Sequence, residues 1–490
     1  MLFNSPIFLF GFLPVTSAGF LLLGGRHFRR PARLWLIGAS LLFYAWWEPS
    51  QLPILLGSIL LNFATGFALN RTTRRTTRRV LLLSGVTLNL TLLGFFKYAT
   101  FVLTNVNDLL GTSFSAAKTD LPLAISFFTF TQIAYLVDSY RVKAPEYSLE
   151  DYALFACFFP HLIAGPIVHH WQLLPQFLKP RASLTLARFT PGFTMFLLGL
   201  FEKVLIADPV AGTANAVFSA ASRGDPITFV AAWIGALAYA VQIYFDFSGY
   251  SDMAIGLANM FGVKFPENFN SPYQARSIIE FWSRWHITLS QFLREYVYIP
   301  LGGNRKGIPR RYANLMVTML LGGLWHGAGW TLVIWGTLHG LYLVVNHAWR
   351  AATRGWLHGS NSPVVSWSGR FLTFVAVVLA WVIFRADSWH AAVTMLSSMA
   401  RISVAAGESL QLVSVNQIAF ILGAMLLSWF APNSQQWLAH QSLVIESVAP
   451  TTWPSWRPTF RVGLAFGILL FLVIKSFFAL APAPFIYFQF

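Results

Sequence analysis

Two histidines in apolar surroundings are the residues of this chain best suited to chemistry. His326 lies in GGLWHGAGW, residues 322–330, and His286 lies in RWHITL, residues 284–289. Histidine is uncommon at membrane depth, and an imidazole near neutral pH can take the proton from a hydroxyl that attacks a thioester. The alternative for either residue is a structural histidine that forms hydrogen bonds between helices. For His339 and His347, whose surroundings are less unusual, the structural role is favoured.

Two carboxylates and a polar segment are further candidates. Asp246 and Asp252 in YFDFSGYSD could orient a histidine, bind a cation or cap a helix, and the structural roles are favoured. Asn268, Asn270 and Tyr273 in PENFNSPY could line a substrate path, although a turn-rich connection is the simpler interpretation.

Several well-known chemistries have no motif in this sequence. It contains no nucleophile elbow, H-E-x-x-H zinc motif, Walker A loop or dinucleotide glycine fingerprint. The single cysteine, Cys157, excludes an intrachain disulfide and a multi-cysteine metal site. His169 and His170 lack partners at metal-ligand spacing, so we expect no metal site.

The composition indicates an integral membrane protein. Of 490 residues, 56% are hydrophobic and 11% are charged, and apolar runs recur from end to end. At about 20 residues per span, we expect roughly ten or more membrane segments in one all-α domain covering residues 1–490. The first apolar run has no basic segment before it and no small-residue cleavage site after it, so we expect it to be retained.

Positive charge is concentrated in short connections. Lys and Arg number 34 against 18 Asp and Glu, a net charge of +16, and the ranges 26–33, 71–79 and 305–311 are arginine-rich without any acidic residue. In a membrane protein this pattern favours cytoplasmic loops over nucleic-acid binding, and it predicts an N-terminus outside. Binding of anionic lipid headgroups is an overlapping explanation.

Two segments must position the histidines. Apolar residues follow each other at three and four positions between 277 and 298, which predicts one helix with a second, polar face that carries Glu280 and Arg284. Such a helix lies at an interface or lines a wet cavity. The segment 314–349 is too long for one span and is rich in glycine, so we expect the backbone to break beside His326.

The motifs of the chain, taken together, resemble those of a known family. They include LLFYAWWEP, YLVDSYR, FFPHLIAGPI, QIYFDFSGYSD, PENFNSPY, EFWSRWHITL, GGLWHGAGW and the closing FIYFQF. The sequence resembles the membrane-bound O-acyltransferases, in the branch that acetylates bacterial exopolysaccharides such as alginate. The resemblance implies a helical bundle of a bacterial inner membrane, with broken helices and a central tunnel that joins the two faces.

The resemblance also implies roles for individual residues. His326 of the W-H-G element corresponds to the catalytic histidine, and His286 of the R-W-H-x-x-L element to the second functional position. Candidates for the tunnel wall are Trp325, Trp285, Asn268, Asn270, Tyr273, Asp246, Asp252, Arg284 and Ser290. The implied donor is acetyl-CoA rather than a tightly bound cofactor, and the implied partner is an extracytoplasmic protein that completes the transfer to the polysaccharide.

Three functions remain open. The first is acetyl transfer from a cytoplasmic thioester toward an exported polysaccharide, with His326 as general base or as an acetyl carrier. The second is D-alanyl or other acyl transfer to teichoic acid, peptidoglycan or lipid. The third is a non-enzymatic polysaccharide transporter or scaffold, which the absence of visible internal symmetry disfavours.

The chain departs from the family pattern at a few positions. His161 stands where glutamine is usual, Thr131 precedes Gln132, and Glu202 stands where lysine is frequent. These departures bear on the substrate rather than on the fold.

Overall fold

Helices form the whole framework of the protein. The computed structural model describes residues 1–24, 27–115, 120–142, 147–178, 186–353, 362–401, 413–446, 448–449, 453–479 and 485–486. No β-strand occurs in these ranges, where the extended backbone pairs at an isolated bridge between Phe265 and Val444. The prediction of an all-helical fold is therefore confirmed. Arg26 of the first basic range and residues 487–490 of the closing motif lie outside the described residues.

The amino-terminal part is a series of helices that pack against their neighbours in the chain. They are α1 (Leu13–Leu22), α2 (Arg30–Ala45), α3 (Leu52–Arg71), α4 (Arg75–Leu93), α5 (Ala99–Leu110), α6 (Ile125–Arg141), α7 (Leu149–Cys157), α8 (Phe159–Leu162) and α9 (His170–Leu178). Two π-helical stretches interrupt them, Phe8–Phe12 before α1 and Gly94–Tyr98 between α4 and α5.

The carboxyl-terminal part contains the longest helix and both candidate histidines. Its helices are α10 (Leu186–Phe201), α11 (Asp208–Arg223), α12 (Phe229–Met260), α13 (Ile278–Trp282), α14 (Ile287–Leu293), α15 (Gly307–His326), α16 (Trp330–Ala352), α17 (Pro363–Arg385), α18 (Trp389–Ala400), α19 (Val415–Phe430), α20 (Ser434–Trp437) and α21 (Phe460–Ala479). Most residues of α12 are buried, so this helix forms the centre of the bundle.

Several helices are suited to a lipid bilayer. Five in the described ranges are long and apolar enough to cross a membrane: Pro49–Arg71, Arg75–Leu110, Phe229–Met260, Pro363–Arg385 and Phe460–Phe478. Phe8–Leu22 and Val415–Phe430 are shorter apolar helices. Other apolar runs of the sequence form helices that are shorter or carry more polar residues, so length and composition do not mark them as spans.

The arginine-bearing ends of the helices meet on one face of the protein, called here the basic face. Arg33, near the start of α2, forms an ion pair with Asp151 at the start of α7. Arg78, near the start of α4, donates from Nη2 to the carbonyl oxygen of Ser139 near the end of α6, at 3.0 Å. The first two arginine-rich ranges are therefore neighbours, as the positive-inside rule requires of cytoplasmic loops.

The third arginine-rich range lies on the same basic face. Arg141, the last residue of α6, donates from Nη2 to the carbonyl oxygen of Glu295 at 3.2 Å. Glu295 belongs to the π-helix Arg294–Tyr298, which leads through a short connection into the start of α15. Arg294 of this π-helix and Arg311 line one cavity, so residues 305–311 lie on the same side of the protein as the end of α6.

The central helix α12 packs directly against the backbone of α10. A Cβ atom built on Gly199 would lie 2.2 Å from the carbonyl oxygen of Gly249, so only glycine permits this approach. Immediately after α10, the buried ammonium of Lys203 contacts Asp246 at 2.6 Å and Asp208 at 2.7 Å. The ion cluster fixes the register of α10, α11 and α12.

The predicted single helix over 277–298 is wrong in its middle. The chain forms α13, then a turn at 283–286, then α14 and the π-helix that follows it. The turn exists because the extended segment 268–270 pairs with it: Asn270 N donates to Arg284 O, and Ile287 N donates to Asn268 O, both at 2.9 Å. Tertiary pairing therefore overrides the apolar periodicity, which continues across the break.

The buried ion cluster predicts an unequal effect of two charge-removing substitutions. We expect Lys203→Met to destabilise the protein by about 3–5 kcal/mol, because two buried carboxylates lose their cation. Thermal unfolding of the purified protein in detergent measures this loss. Glu150→Gln, which removes the exposed pair with Arg30, should leave the unfolding temperature nearly unchanged. Equal effects of the two substitutions on the unfolding temperature would contradict the stabilising role of the Lys203 ion cluster.

Candidate active site

His326 is the last residue of α15 and lies at a break between two helices. Its side chain is 3% exposed. Residues 327–329 are not helical, and α16 begins at Trp330. The break predicted from the glycines is therefore present beside the histidine.

Close packing of α15 against α16 positions the break. A Cβ atom on Gly323 would lie 2.3 Å from the carbonyl oxygen of Leu332, and a Cβ atom on Gly336 would lie 2.4 Å from that of Met319. Glycine at both positions lets the two backbones touch. Trp335 of α16 is consequently held against the end of α15.

Aromatic rings surround the imidazole of His326. Its centroid lies 4.8 Å from that of Trp325, 5.1 Å from that of Trp335 and 5.2 Å from that of Phe384, each in an edge-on arrangement. This aromatic enclosure fixes the plane of the imidazole and limits access to it. Access is left from the side of α6.

A cavity of about 150 Å³ reaches His326 from the face opposite the arginines. Its lining residues are Trp47, Gln51, Lys97, residues 121–127, Ile163, Ala164, Trp325 and His326. Trp47 follows the end of α2, Gln51 precedes α3, and residues 121–124 precede α6, so the mouth lies at the helix ends remote from the basic face. We call this space the outer cavity.

The end of α15 is capped by side chains from the π-helix Gly94–Tyr98. Tyr98 donates its hydroxyl hydrogen to the carbonyl oxygen of Leu324 at 2.7 Å, and Lys97 donates from Nζ to that of Trp325 at 2.6 Å. These are carbonyls of the last turn, which lack partners within the helix. π-Helical turns occur often at functional sites.

Lys97 is a site residue that sequence analysis missed. Its signal was present, because it is the only charged residue in the apolar run 80–103, and an ionisable side chain at membrane depth is a functional candidate. Its proximity to Trp325, 228 positions away, could not be deduced from spacing.

His286 adopts an unusual backbone conformation before α14. Its φ is 41° and its ψ is 55°, the left-handed region, which costs a non-glycine residue of order 1–3 kcal/mol. The pairing of segment 268–270 with the turn compensates this cost. The conformation aims the fully buried imidazole toward Asn268 and α12.

A hydrogen-bond chain fixes the tautomer of neutral His286. Asn268 donates from Nδ2 to Ser251 Oγ at 2.9 Å, which turns its Oδ1 toward His286 Nδ1 at 3.1 Å and Thr288 Oγ1 at 2.8 Å. Because an amide oxygen only accepts, Nδ1 carries the hydrogen and Nε2 carries the lone pair. Asn268 is thus a positioning residue for His286.

The indole of Trp325 lies between the two histidines. Its ring centroid is 5.9 Å from that of His286 and 4.8 Å from that of His326. Phe130 stacks on the indole at 5.5 Å. The structure therefore brings together His326, His286, Trp325 and Asn268 from the predicted set.

A second and larger cavity lies on the basic face. It measures about 650 Å³, and its lining combines apolar side chains with polar and charged ones that include Ser290, Arg294, Arg311 and His347. Arg311 Nη2 lies 2.7 Å from His347 Nδ1. We call this space the inner cavity; it shares no lining residue with the outer cavity.

Other predicted site residues have structural partners away from His326. Asp246 is held by Lys203, as described above, and Asp252 accepts from Ser434 and Gln435 at the start of α20. The favoured structural interpretation of these two carboxylates agrees with these contacts.

The remaining candidates support the turn and its surroundings. Arg284 bonds Glu280 at 2.7 Å and the carbonyl oxygen of Asn270 at 3.1 Å. Tyr273 donates to the carbonyl oxygen of Ala240 at 2.6 Å, and Trp285 packs on Trp381 with centroids 4.8 Å apart.

Comparison with known proteins identifies the family. Residues 80–383, which contain both histidines and Lys97, match the membrane-bound O-acyltransferase family. The chain belongs to this family. It is therefore an O-acyltransferase, and the resemblance inferred from its motifs is confirmed.

Relatives of this O-acyltransferase differ in the acceptor that their names give. A peptidoglycan O-acetyltransferase of Helicobacter pylori is 45% identical over 427 residues, which covers 81% of this chain and 80% of the relative. A probable alginate O-acetylase AlgI of Pseudomonas putida is 45% identical over 409 residues, with the same coverages of 81% and 80%. A teichoic acid D-alanyltransferase of Streptococcus thermophilus is 27% identical over 280 residues, covering 54% and 68%.

Among the departures from the family pattern, His161, Thr131 and Gln132 are buried and Glu202 is half-buried. His161 Nε2 lies 2.9 Å from the carbonyl oxygen of Phe155. Gln132 accepts from Ser58 at 2.9 Å, and Glu202 accepts from Ser248 at 2.5 Å. These contacts are local and do not reach the two histidines.

The site geometry predicts different outcomes for two of the candidates. Asn268→Leu removes the bond that orients His286, and we expect about a 10²-fold loss of acyltransferase activity, since small misplacements of a catalytic group are costly. Tyr273→Phe removes a hydroxyl that bonds the carbonyl oxygen of Ala240 and contacts neither histidine, so it should change activity less than threefold. Activity per folded protein separates the two, and a larger loss in Tyr273→Phe would refute the positioning role of Asn268.

Proposed function

We propose that this protein transfers an acetyl group from cytoplasmic acetyl-CoA to hydroxyl acceptors on the far side of a bacterial inner membrane, toward an exported polysaccharide. The observation that carries the proposal is the pair of cavities that approach α15 from opposite faces. One is lined by arginines and the other by His326. A donor and an acceptor that never share a compartment require this arrangement.

The direction of acetyl transfer is inferred from the distribution of arginine residues between the two faces. The three arginine-rich ranges lie on the basic face, and the positive-inside rule assigns that face to the cytoplasm. The inner cavity then faces the pool of acyl-CoA, and the outer cavity faces the exported polymer. The same assignment puts the N-terminus outside.

The inner cavity has the chemistry to hold the donor. Arg294 and Arg311 can bind the phosphates of coenzyme A, because guanidinium groups pair well with phosphate. Met319, at the deep end of the cavity, is seven residues before His326 in α15, about 10 Å along the helix axis. The flexible thioester arm of the coenzyme spans such a distance.

His326 would act as the general base. As the acceptor oxygen bonds to the thioester carbonyl carbon, the hydroxyl proton passes to the imidazole; the C–S bond then breaks and the thiolate takes that proton. A positioned base contributes about 10²- to 10⁴-fold to the rate. His286, whose tautomer Asn268 fixes, would support the reacting group from the other side of Trp325.

The acceptor is inferred from the names of proteins with similar sequences. The two 45% identical relatives are named for O-acetylation of peptidoglycan and alginate, whereas the D-alanyltransferase is 27% identical over a shorter part of the chain. Acetyl transfer to a glycan is therefore favoured over D-alanyl transfer. We further propose that an extracytoplasmic partner protein completes delivery. Family membership argues against the non-enzymatic transporter.

The catalytic role of His326 predicts a loss of product. In cells carrying His326→Gln, we expect ester-linked acetate on the surface polysaccharide to fall at least 100-fold, because the base is removed. Ester acetate is measured alongside the amount of protein in the membrane. His440→Gln, at an exposed histidine in the segment after α20, is the matched control and should behave as wild type. Normal ester acetate with His326→Gln at wild-type protein levels would end the proposal.

The donor role of the inner cavity predicts an effect on KM. We expect Arg311→Gln to raise the KM for acetyl-CoA about tenfold with kcat nearly unchanged, because a phosphate contact is worth roughly 1.5 kcal/mol or more. Initial rates of coenzyme A release by the purified protein give both constants. The neighbouring Arg310 is exposed and does not line the cavity, so Arg310→Gln should leave KM unchanged. Equal shifts in the two variants would place the donor elsewhere.

A further inference from the structure

Lys97 has an arrangement that helix capping alone does not explain. Its ammonium donates to the carbonyl oxygen of Trp325 at 2.6 Å and to Ser126 Oγ at 3.2 Å, and the side chain lines the outer cavity together with His326. An ammonium has three N–H donors, so two are used by these contacts and a third is available to a molecule in the cavity.

The partners of Lys97, which is half-buried, are neutral, and this distinguishes it from the buried Lys203. Lys203 contacts two carboxylates, whereas no carboxylate of the described residues lies within ion-pair distance of Lys97. A partly desolvated cation without an anion is costly, because its desolvation is not compensated. This unfavourable desolvation free energy is offset when negative charge forms beside the ammonium.

Negative charge forms in this cavity during acyl transfer. We propose that Lys97 is a catalytic residue that stabilises the oxyanion formed on the acyl carbonyl oxygen. This inference rests on the proposed function. As the acceptor oxygen attacks the carbonyl carbon, the C=O electron pair moves to oxygen and the hydroxyl proton moves to His326. When the C=O bond re-forms, the C–S bond breaks, and the thiolate leaves with that proton.

The geometry brings both groups of such a site together from two segments, the π-helix Gly94–Tyr98 and the end of α15. Lys97 is fixed by the carbonyl of the residue adjacent to His326, so the ammonium and the imidazole approach the cavity from neighbouring positions. Preorganised donors at a developing oxyanion contribute most where water is excluded. The aromatic enclosure of His326 supplies that exclusion.

Tyr98 offers a control that distinguishes the effect of the Lys97 charge from the effect of capping α15. The Tyr98 hydroxyl caps the preceding carbonyl, Leu324 O, at 2.7 Å and comes from the same π-helix, but it carries no positive charge. It is absent from the lining of the outer cavity. If Lys97 only terminates α15, Tyr98→Phe and Lys97→Met should do similar damage.

The experiment measures coenzyme A release from acetyl-CoA, with an alginate oligosaccharide as hydroxyl acceptor, by purified wild type, Lys97→Met and Tyr98→Phe, with unfolding temperatures recorded in parallel. We expect Lys97→Met to lower kcat about 10²- to 10³-fold with KM within twofold, as for loss of one oxyanion donor. Tyr98→Phe should lower kcat less than fivefold. A Lys97→Met kcat within fivefold of wild type, a loss confined to KM, or an equal loss in Tyr98→Phe overturns the inference.

Chemical rescue keeps the test decisive if Lys97→Met folds poorly. In a Cys157→Ser background, which removes the only native cysteine, Lys97→Cys is assayed before and after alkylation with 2-bromoethylamine, which restores an ammonium at nearly the original position. At least a tenfold recovery of kcat is expected, and no recovery at full labelling counts against the charge. A wild type that releases no coenzyme A above His326→Gln refutes the proposed function itself, and the inference with it.

Discussion

A helix that ends inside an apolar bundle leaves carbonyl groups without partners in the helix, and this constraint governs the candidate active site. α15 ends at His326, and the orphan carbonyls of Leu324 and Trp325 accept hydrogen bonds from Tyr98 and Lys97. The π-helix presents these two adjacent side chains to the end of α15. The contacts that terminate the helix therefore also bring a cation to the wall of the outer cavity.

The position of His286 likewise depends on hydrogen bonds that another segment supplies to an irregular backbone. The segment 268–270 supplies hydrogen bonds to the turn at 283–286, and Asn268 then holds the His286 ring. Left-handed backbone at a histidine persists only where surrounding contacts over-determine it. In both cases an irregular backbone is tolerated in the bundle because groups from another segment satisfy its polar atoms, side chains of the π-helix at the end of α15 and the backbone of 268–270 at the turn. The two imidazoles lie on either side of Trp325.

The sequence predicts the local backbone features of this site better than the contacts between segments far apart in the chain. The glycines around His326 correctly indicate a break, and the apolar composition correctly indicates a helical membrane protein. The apolar stripe from Phe281 to Tyr296 misleads, because a chain that turns at His286 can bury the same side chains as a continuous helix. Lys97 could not be assigned to the site, since the carbonyl of Trp325 that it caps is 228 positions away and an inserted π-turn leaves no periodic signature.

The aromatic enclosure of His326 has a consequence for the cell. Trp325, Trp335 and Phe384 close around the imidazole, and the inner and outer cavities have no lining residue in common. A continuous column of water through the bundle would conduct protons and discharge the energised bilayer. If transfer crosses the membrane as proposed, these rings would block that water column, so acyl transfer between the two faces would not dissipate the proton-motive force.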